Sequence, residues 1–316
     1  MAEGNIQKID GLWFSNDSLV VLRAQERVFR VPKSILAARS PVFQSMFEFP
    51  QPVSGDDAMA GADEVMDGSP VIRLHDSPTE VEAFLRAIFD SNYFMPPPSQ
   101  TSFSDLLGIL RLAQKYDVGY LYKRAVCHLE TIYPIELAKV EAGTSTVTLY
   151  VINATVDFDL EAIAVLHEVG ATWLLPYAYY SAAENPVSDL LYAGELWEQC
   201  PTNRKEILLC LQPCQREATD RLFDALTSIS KCLYADACNM SKFKFLKRRA
   251  RHQRPLSGQY TFCRRLTLEA ELCETCSTQA REQYETRRAE IWDALPINCG
   301  MENWEVLLQQ REAAMA

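Results

Sequence analysis

The segment from Phe29 to Phe47, FRVPKSILAARSPVFQSMF, constrains the fold most, because its hydrophobic period changes twice in a short stretch. Val31 precedes Pro32, and a residue before proline favours extended backbone. Pro32 can begin a helix, because the first helical turn does not need the N–H that proline lacks. Ser40 and Pro41 then suit the cap and first position of a second helix. The segment therefore predicts a strand followed by two short helices.

Both predicted helices carry an apolar face. Ile35, Leu36 and Ala38 fall on one side of the first helix. The second helix has apolar residues at helical spacing, which predicts a buried stripe; they are Val42, Phe43, Met46 and Phe47.

The sequence around this segment predicts mixed α and β structure. LVVL and RVFRV, separated by the turn AQE, predict a strand hairpin over residues 17–31. Residues 49–70 are acidic and rich in Gly, Pro and Ala, which predicts a long surface loop, partly disordered. VIRLHD is a short strand, and Ser77, Pro78 and Glu80 have the spacing of a capping box that opens a helix. Two further helices follow, joined near Gly119.

From about residue 135 onward the apolar spacing is helical. TSTVTLYVINATV is β-prone, and we interpret it as helix because it lies between helical segments. The fold class is therefore α+β over residues 1–133, with a motif core at 17–130, followed by an all-α region at 134–316. The predicted helices of that region are Pro134–Val140, Asp159–Glu168, Val187–Glu198, Asn203–Leu211, Cys214–Cys238, Phe262–Trp292 and Trp304–Gln310.

Composition excludes several classes of function. Apolar residues make up 48% of the 316 and charged residues 23%, which is typical of a soluble globular protein. The net charge of −11 argues against general affinity for nucleic acid or acidic membranes. No apolar run approaches the roughly 18 residues of a membrane span, and the first ten residues do not resemble a signal peptide. We therefore expect an intracellular protein, in the cytoplasm or the nucleus.

The sequence offers little catalytic chemistry. It has no phosphate-binding glycine loop, no nucleophile elbow and no metalloprotease motif. Cys127 and His128 are adjacent, but adjacent helical residues point about 100° apart and cannot form a nucleophile–base pair. We expect neither an enzyme nor a cofactor.

Four cysteines form the one candidate metal site. Cys273 and Cys276 have C-x2-C spacing, and Cys232 and Cys238 are five residues apart. Two antiparallel helices could bring the pairs together as ligands for tetrahedral zinc. However, a C-x2-C inside a long helix lacks the turn that usually presents both sulfurs. The pattern therefore favours free thiols over metal.

The basic run KFKFLKRRARHQR, residues 242–254, has two interpretations. It could be a nuclear-import signal. It could also be the solvated face of a helix, and Phe243, Phe245 and Leu246 favour this interpretation because they would bury against the domain.

The order and spacing of these elements resemble the BTB/POZ family. Its motif has the form F-x-x-H-[KR]-x-[IV]-L-A-A-x-S-x-x-F-x-x-[ML]-F, and Pro32 stands here in place of its histidine. The segment around the motif also resembles fungal BTB proteins, in which a helical region ends in a W-x-x-L-P…W pattern. The matching residues are Phe29, Lys33, Ile35, Leu36, Ala37, Ala38, Ser40, Phe43, Met46 and Phe47, and for the second pattern Trp292, Leu295, Pro296 and Trp304.

The resemblance implies a domain that acts through protein–protein contacts and commonly homodimerises. Carried over to this chain, Ile35, Leu36 and Ala38 would lie at or under the dimer interface. The resemblance assigns the core of the motif to Phe29, Val42, Phe43, Met46 and Phe47.

Three functions are compatible with the sequence. The first is a BTB-type interaction module or scaffold, homodimeric, whose helical region contacts a further protein. The second is a substrate adaptor of a cullin-type ubiquitin ligase. FEFPQP does not clearly present the apolar-x-Glu motif that cullin-binding members often carry after the second helix. The third is a nuclear regulator that uses BTB dimerisation.

Overall fold

In a computed structural model, the described residues are 6–15, 18–48, 65–143, 151–152, 158–183, 195–211, 213, 232, 234–249 and 272–316. The chain divides into two compact units. Unit 1 comprises Met1–His128 with Leu149–Ala154, and unit 2 comprises Leu129–Thr148 with Thr155–Ala316.

Unit 1 is built on a five-stranded sheet with strand order β1-β3-β2-β5-β4. β2 and β3 form the predicted antiparallel hairpin, and Gln25 occupies its turn at a φ of 51°. β1 runs parallel to β3, and β5 runs parallel to β2. The strands are β1 (Gln7–Trp13), β2 (Leu19–Ala24), β3 (Arg27–Pro32), β4 (Val65–Met66) and β5 (Ser69–Leu74).

Among the described residues, unit 1 also contains four helices and most of a fifth, whose last turn belongs to unit 2. The predicted pair of short helices is present, joined at Ser40, and three longer helices follow. Leu36, Phe43 and Phe84 from these helices are fully buried, together with Val21 and Leu22 of the sheet. The helices are α1 (Lys33–Arg39), α2 (Pro41–Glu48), α3 (Pro78–Phe89), α4 (Phe103–Lys115) and α5 (Gly119–Ile132).

The start of α3 differs from the predicted capping box. Ser77 is the N-cap and Pro78 the first helical residue, as expected, but the Ser77 side chain makes no cap hydrogen bond. Its hydroxyl lies 2.9 Å from that of Thr79. Glu80 forms an ion pair with Arg111 of α4.

Two predictions of irregular or helical structure in unit 1 were wrong. Residues 49–64 lie outside the described residues, but 65–70 are not loop: β4 and β5 pair there as a short antiparallel hairpin. Val151–Ile152, interpreted from sequence as helix, is strand β7. It pairs in parallel with β6 (Thr101–Ser102).

Unit 2 is helical apart from short turns, over the residues described. Helices were correctly predicted near 137, 159, 195, 203 and 304, and residues 202–211 are helical. A 3-10 turn at Thr172–Leu174 leads into a helix that the sequence did not predict. The helices are α6 (Leu137–Gly143), α7 (Phe158–Glu168), α8 (Leu175–Ala183), α9 (Glu195–Gln199), α10 (Ala235–Arg249), α11 (Glu274–Asn298) and α12 (Trp304–Met315).

The core of unit 2 combines aromatic packing with satisfied polar groups. Tyr133 and Ser181 donate hydrogen bonds of 2.8 and 2.9 Å to the buried Asp159 carboxylate. The rings of Trp292 and Trp304 stack at 4.7 Å, and the Trp304 indole N–H donates to the Trp292 carbonyl at 2.8 Å. The two tryptophans of the W-x-x-L-P…W pattern thus join α11 to α12. Among the described helices, none is both long and apolar enough to cross a membrane.

Candidate functional site

Ser40 fixes the joint between α1 and α2. Its Oγ accepts a hydrogen bond of 3.0 Å from the Phe43 N–H, which is the N-cap interaction the sequence predicted. The same hydroxyl donates to the Tyr116 carbonyl at 2.5 Å. Ser40 is fully buried. The joint between the two short helices is therefore anchored to the end of α4.

The Tyr116 side chain also contacts this joint through its ring. The ring stacks on Phe43 at 4.5 Å, and the Tyr116 hydroxyl donates to Asp76 at 2.5 Å. Burial, and secondarily the Asp76 carboxylate, raise the pKa of Tyr116. The tyrosine therefore serves as a neutral hydrogen-bond donor in the core. No local sequence pattern indicates this contact, because Ser40 and Tyr116 are 76 residues apart.

The residues assigned to the motif core differ in burial. Phe29 and Phe43 are fully buried. Val42, Met46 and Phe47 are only half-buried, so the core assignment was too broad for them. A helix as short as α2 buries one side, and Phe43 occupies it. The Phe47 ring is covered in part by Lys33, whose Nζ lies 5.0 Å from the ring centre.

The three residues assigned to a dimer surface divide in the same way. Leu36 is fully buried, so it belongs to the core and cannot form part of a surface. Ile35 is 41% exposed, and Ala38 is also exposed. Positions three residues apart share a helical face. Ile35 and Ala38 therefore present an apolar outer face on α1.

The four candidate cysteines come together in unit 2. The Sγ atoms of Cys232, Cys238, Cys273 and Cys276 all lie within 4.8 Å of one another. The sulfurs of Cys232 and Cys273 are 3.6 Å apart. Cys238 and Cys276 are buried, and the other two are partly exposed.

The helix boundaries explain why the cysteines converge. The sequence predicted Cys273 and Cys276 inside a helix over 262–292, which was wrong around the pair: Cys273 is the N-cap of α11. Cys238 was predicted to end a helix, yet it lies in the first turn of α10. Residues 214–231 and 262–271 lie outside the described residues. In each pair, therefore, one cysteine precedes the helix and the other lies in its first turn. The start of the helix provides the change of chain direction that presents both sulfurs.

Backbone N–H groups point at the sulfurs. The Cys273 N–H donates to Cys238 Sγ at 3.4 Å, and the Tyr234 N–H donates to Cys232 Sγ at 3.3 Å. The pKa of Cys273 is lowered to about 7, chiefly by the Cys276 backbone N–H. Burial raises the pKa of Cys276 to about 12. The cluster thus combines a partly exposed thiol whose pKa is lowered with a buried thiol whose pKa is raised.

Lys242 lies one helical turn after Cys238 on α10. Its side chain is 3% exposed, and its Nζ has no hydrogen-bond partner among the described residues. Its charge acts on the Cys276 thiol. The interpretation of residues 242–254 as a solvated face whose phenylalanines bury was wrong at two of the three residues whose burial is described. Lys242 is buried, and Phe243 is 63% exposed.

Two of the histidines lie within hydrogen-bond distance of a neighbouring group. His128 Nε2 lies 2.7 Å from the Met95 carbonyl, and His167 Nε2 lies 2.9 Å from the Tyr179 hydroxyl.

Comparison with known families identifies unit 1. The family model of the BTB/POZ domain matches residues 15–132. The match spans the sheet hairpin, the α1–α2 motif and the α3–α5 helices, the elements on which the resemblance was based. No curated protein sequence matches the chain. The chain therefore carries a BTB/POZ domain, a protein–protein interaction module, over residues 15–132.

Proposed function

We propose that the chain is a scaffold that self-associates through its BTB domain and holds a further protein through its helical C-terminal region. The observation that carries self-association is the apolar outer face of α1, where Ile35 is 41% exposed and Ala38 lies beside it. A second copy of the chain is the occupant that the family resemblance favours, because BTB domains commonly pair near this helix.

The adjoining helix extends the apolar character of this region. Val42, Met46 and Phe47 of α2 are half-buried, so part of each side chain meets solvent in the single chain. An interface core is depleted in charge and enriched in Met and aromatic residues. Burial of these side chains by a second chain would remove apolar area from water at about 25 cal/mol per Å².

A charged residue introduced into the apolar face tests the proposal. Ile35→Asp places a carboxylate in the proposed interface, so the dissociation constant of the dimer should rise at least about tenfold. Light scattering after gel filtration reads the molar mass directly. Met95→Asp is the matched control: Met95 is 42% exposed, lies outside α1 and should leave the mass unchanged.

Two results would contradict the proposal. One is a wild-type chain that is monomeric at micromolar concentration. The other is an Ile35→Asp variant that keeps the dimer mass while its circular dichroism matches the wild type. Loss of the dimer in both variants would show a general effect of added charge and would also remove the assignment to α1.

The cullin-adaptor function is a narrower form of this proposal. The part-exposed residues of α2, Met46 and Phe47, lie just before the position where cullin-binding members often carry their contact motif. A pull-down of the full chain with a cullin scaffold tests it. The absence of binding at micromolar concentration removes the adaptor function and leaves the scaffold intact.

The nuclear-regulator function depends on the basic run at residues 242–254. Lys242 is buried, so it is not available to an import receptor. The remaining basic residues would have to supply the signal. A fluorescent fusion that stays cytoplasmic with and without the arginines at 248, 249 and 251 removes this function.

A further inference from the structure

We propose that Cys232, Cys238, Cys273 and Cys276 bind one zinc ion that stabilises the C-terminal helical unit. The proposal is independent of self-association, because the four residues belong to unit 2 and the α1 face belongs to unit 1.

The distances fit a single metal ion. Zinc binds thiolate sulfur at about 2.3 Å with tetrahedral geometry, which separates the sulfurs by about 3.8 Å. Cys232 and Cys273 are 3.6 Å apart at their sulfurs, and no pair in the cluster exceeds 4.8 Å. Small side-chain rotations are therefore enough to bring the four sulfurs to the separations of a tetrahedral zinc site. A cluster of several irons would hold its sulfur ligands farther apart.

The backbone around the cysteines favours bound anions. Each cysteine pair lies at the N-terminus of a helix, α10 or α11, where unpaired N–H groups and the helix dipole stabilise negative charge. The N–H groups of Tyr234 and Cys273 already donate to sulfur. Hydrogen bonds to the charged form stabilise thiolate, which is the form that binds metal.

Lys242 provides an independent reason to expect a negatively charged centre. One divalent cation and four thiolates leave two negative charges on the centre, which a nearby ammonium group would offset. Lys242 is 3% exposed and has no hydrogen-bond partner in the described part of the chain. A buried cation without a counter-charge is costly. The proposed centre would supply the missing negative charge next to Cys276.

The ligand set points to a structural role. Catalytic zinc keeps a position open for water or substrate, whereas four cysteines complete the tetrahedron. The ion would tie the segment before α10 to the start of α11 across 41 residues of chain. Metal binding then contributes directly to the folding free energy of the region it closes.

The test is the metal content of the full chain, purified under reducing conditions without chelator. We expect one zinc per chain by plasma mass spectrometry. The zinc content of the Cys276→Ser variant should fall well below one per chain. The matched control Cys210→Ser removes an exposed thiol outside the cluster and should keep one zinc. Ile35→Asp should also keep one zinc, which separates this proposal from self-association.

A second measurement avoids dependence on a variant that fails to fold. Wild-type chain refolded with Co²⁺ should show the visible bands of tetrahedral cobalt and a thiolate charge-transfer band. Cobalt bound without these bands would show a different ligand set and overturn the proposal. So would a wild-type chain that holds no zinc and takes up neither metal, for example because Cys232 and Cys273 have formed a disulfide.

Lys242→Met separates the metal site from ordinary thiol packing. Removal of the offsetting charge should weaken zinc binding by roughly 10- to 100-fold, as changes next to metal ligands commonly do. The metal-free variant should be no less stable than metal-free wild type, because an uncompensated buried charge has been removed. Unchanged zinc affinity would exclude the charge role of Lys242.

Discussion

At the scale of single residues, the joint between α1 and α2 depends on Phe43. Its ring is fully buried against Tyr116, and its N–H is capped by Ser40. We expect Phe43→Ala to lower the free energy of unfolding by about 3–5 kcal/mol, through lost burial and the cavity left behind. Equilibrium denaturation monitored by circular dichroism gives the value.

Met46→Ala is the matched control for this prediction. Met46 lies on the same helix but is only half-buried, so its truncation should cost clearly less than that of Phe43. Equal losses for the two variants in the Ile35→Asp background, where the proposed dimer is lost, would show that α2 buries both faces within a single chain. They would contradict the division of this helix into a core side and an outer side.

The sequence predicted the local part of this arrangement and missed the distant part. Ser40 as a cap and Pro41 as the first helical residue follow from local chemistry. Tyr116 could not be predicted as their partner, because the contact depends on how α4 packs against the motif. Leu36 and Ile35 are adjacent in the sequence, and their apolar character alone did not reveal which one faces solvent.

At the scale of elements, His167 of α7, which contacts Tyr179 of α8, should make the free energy of unfolding depend on pH. Burial, and secondarily the charge of Arg204, lower the pKa of His167 to about 4 from its usual value near 6.5. The folded state therefore prefers the neutral ring. Its contribution to stability is complete above about pH 6.5 and is lost as the pH falls towards 4.

A His167→Gln variant checks this pH dependence. Glutamine can keep a hydrogen bond to the Tyr179 hydroxyl but does not titrate in this range. The free energy of unfolding of the wild type should fall more steeply between pH 6.5 and 4 than that of the variant. Parallel curves for the two proteins would mean that His167 titrates alike in the folded and unfolded chains.

The boundaries of elements were predictable only where local signals decide them. The starts of α2 and α3 were predicted from Ser-Pro pairs. The start of α11 was not, because residues 262–292 have helix-favouring composition throughout and the break at Cys273 has no proline or glycine to mark it. Because this helix start was not predicted, the spacing of the cysteine pairs did not indicate a metal site. Their convergence depends on where two helices begin.

At the scale of the whole molecule, the chain combines an α+β BTB/POZ domain with a helical unit. The sequence predicted this division from the change in hydrophobic period near residue 135. It did not predict that Val151–Ile152 would pair with β6 in unit 1. A two-residue strand carries too little periodic signal, and its partner lies far away in the sequence.

The zinc proposal predicts a metal-dependent stability for the full chain. A ligand that binds only the folded state stabilises it by about 2.7 kcal/mol when present at about 100 times its dissociation constant. Zinc at that excess should therefore raise the unfolding temperature of metal-free protein measurably, and Cys276→Ser should abolish the rise. An equal rise in wild type and variant would point to zinc bound elsewhere.

Self-association of the full chain can be measured by sedimentation equilibrium at micromolar concentration. The wild type should have the mass of two chains, and the mass should shift towards one chain for Ile35→Asp but not for Met95→Asp. A wild-type mass of one chain across the concentration range would contradict it.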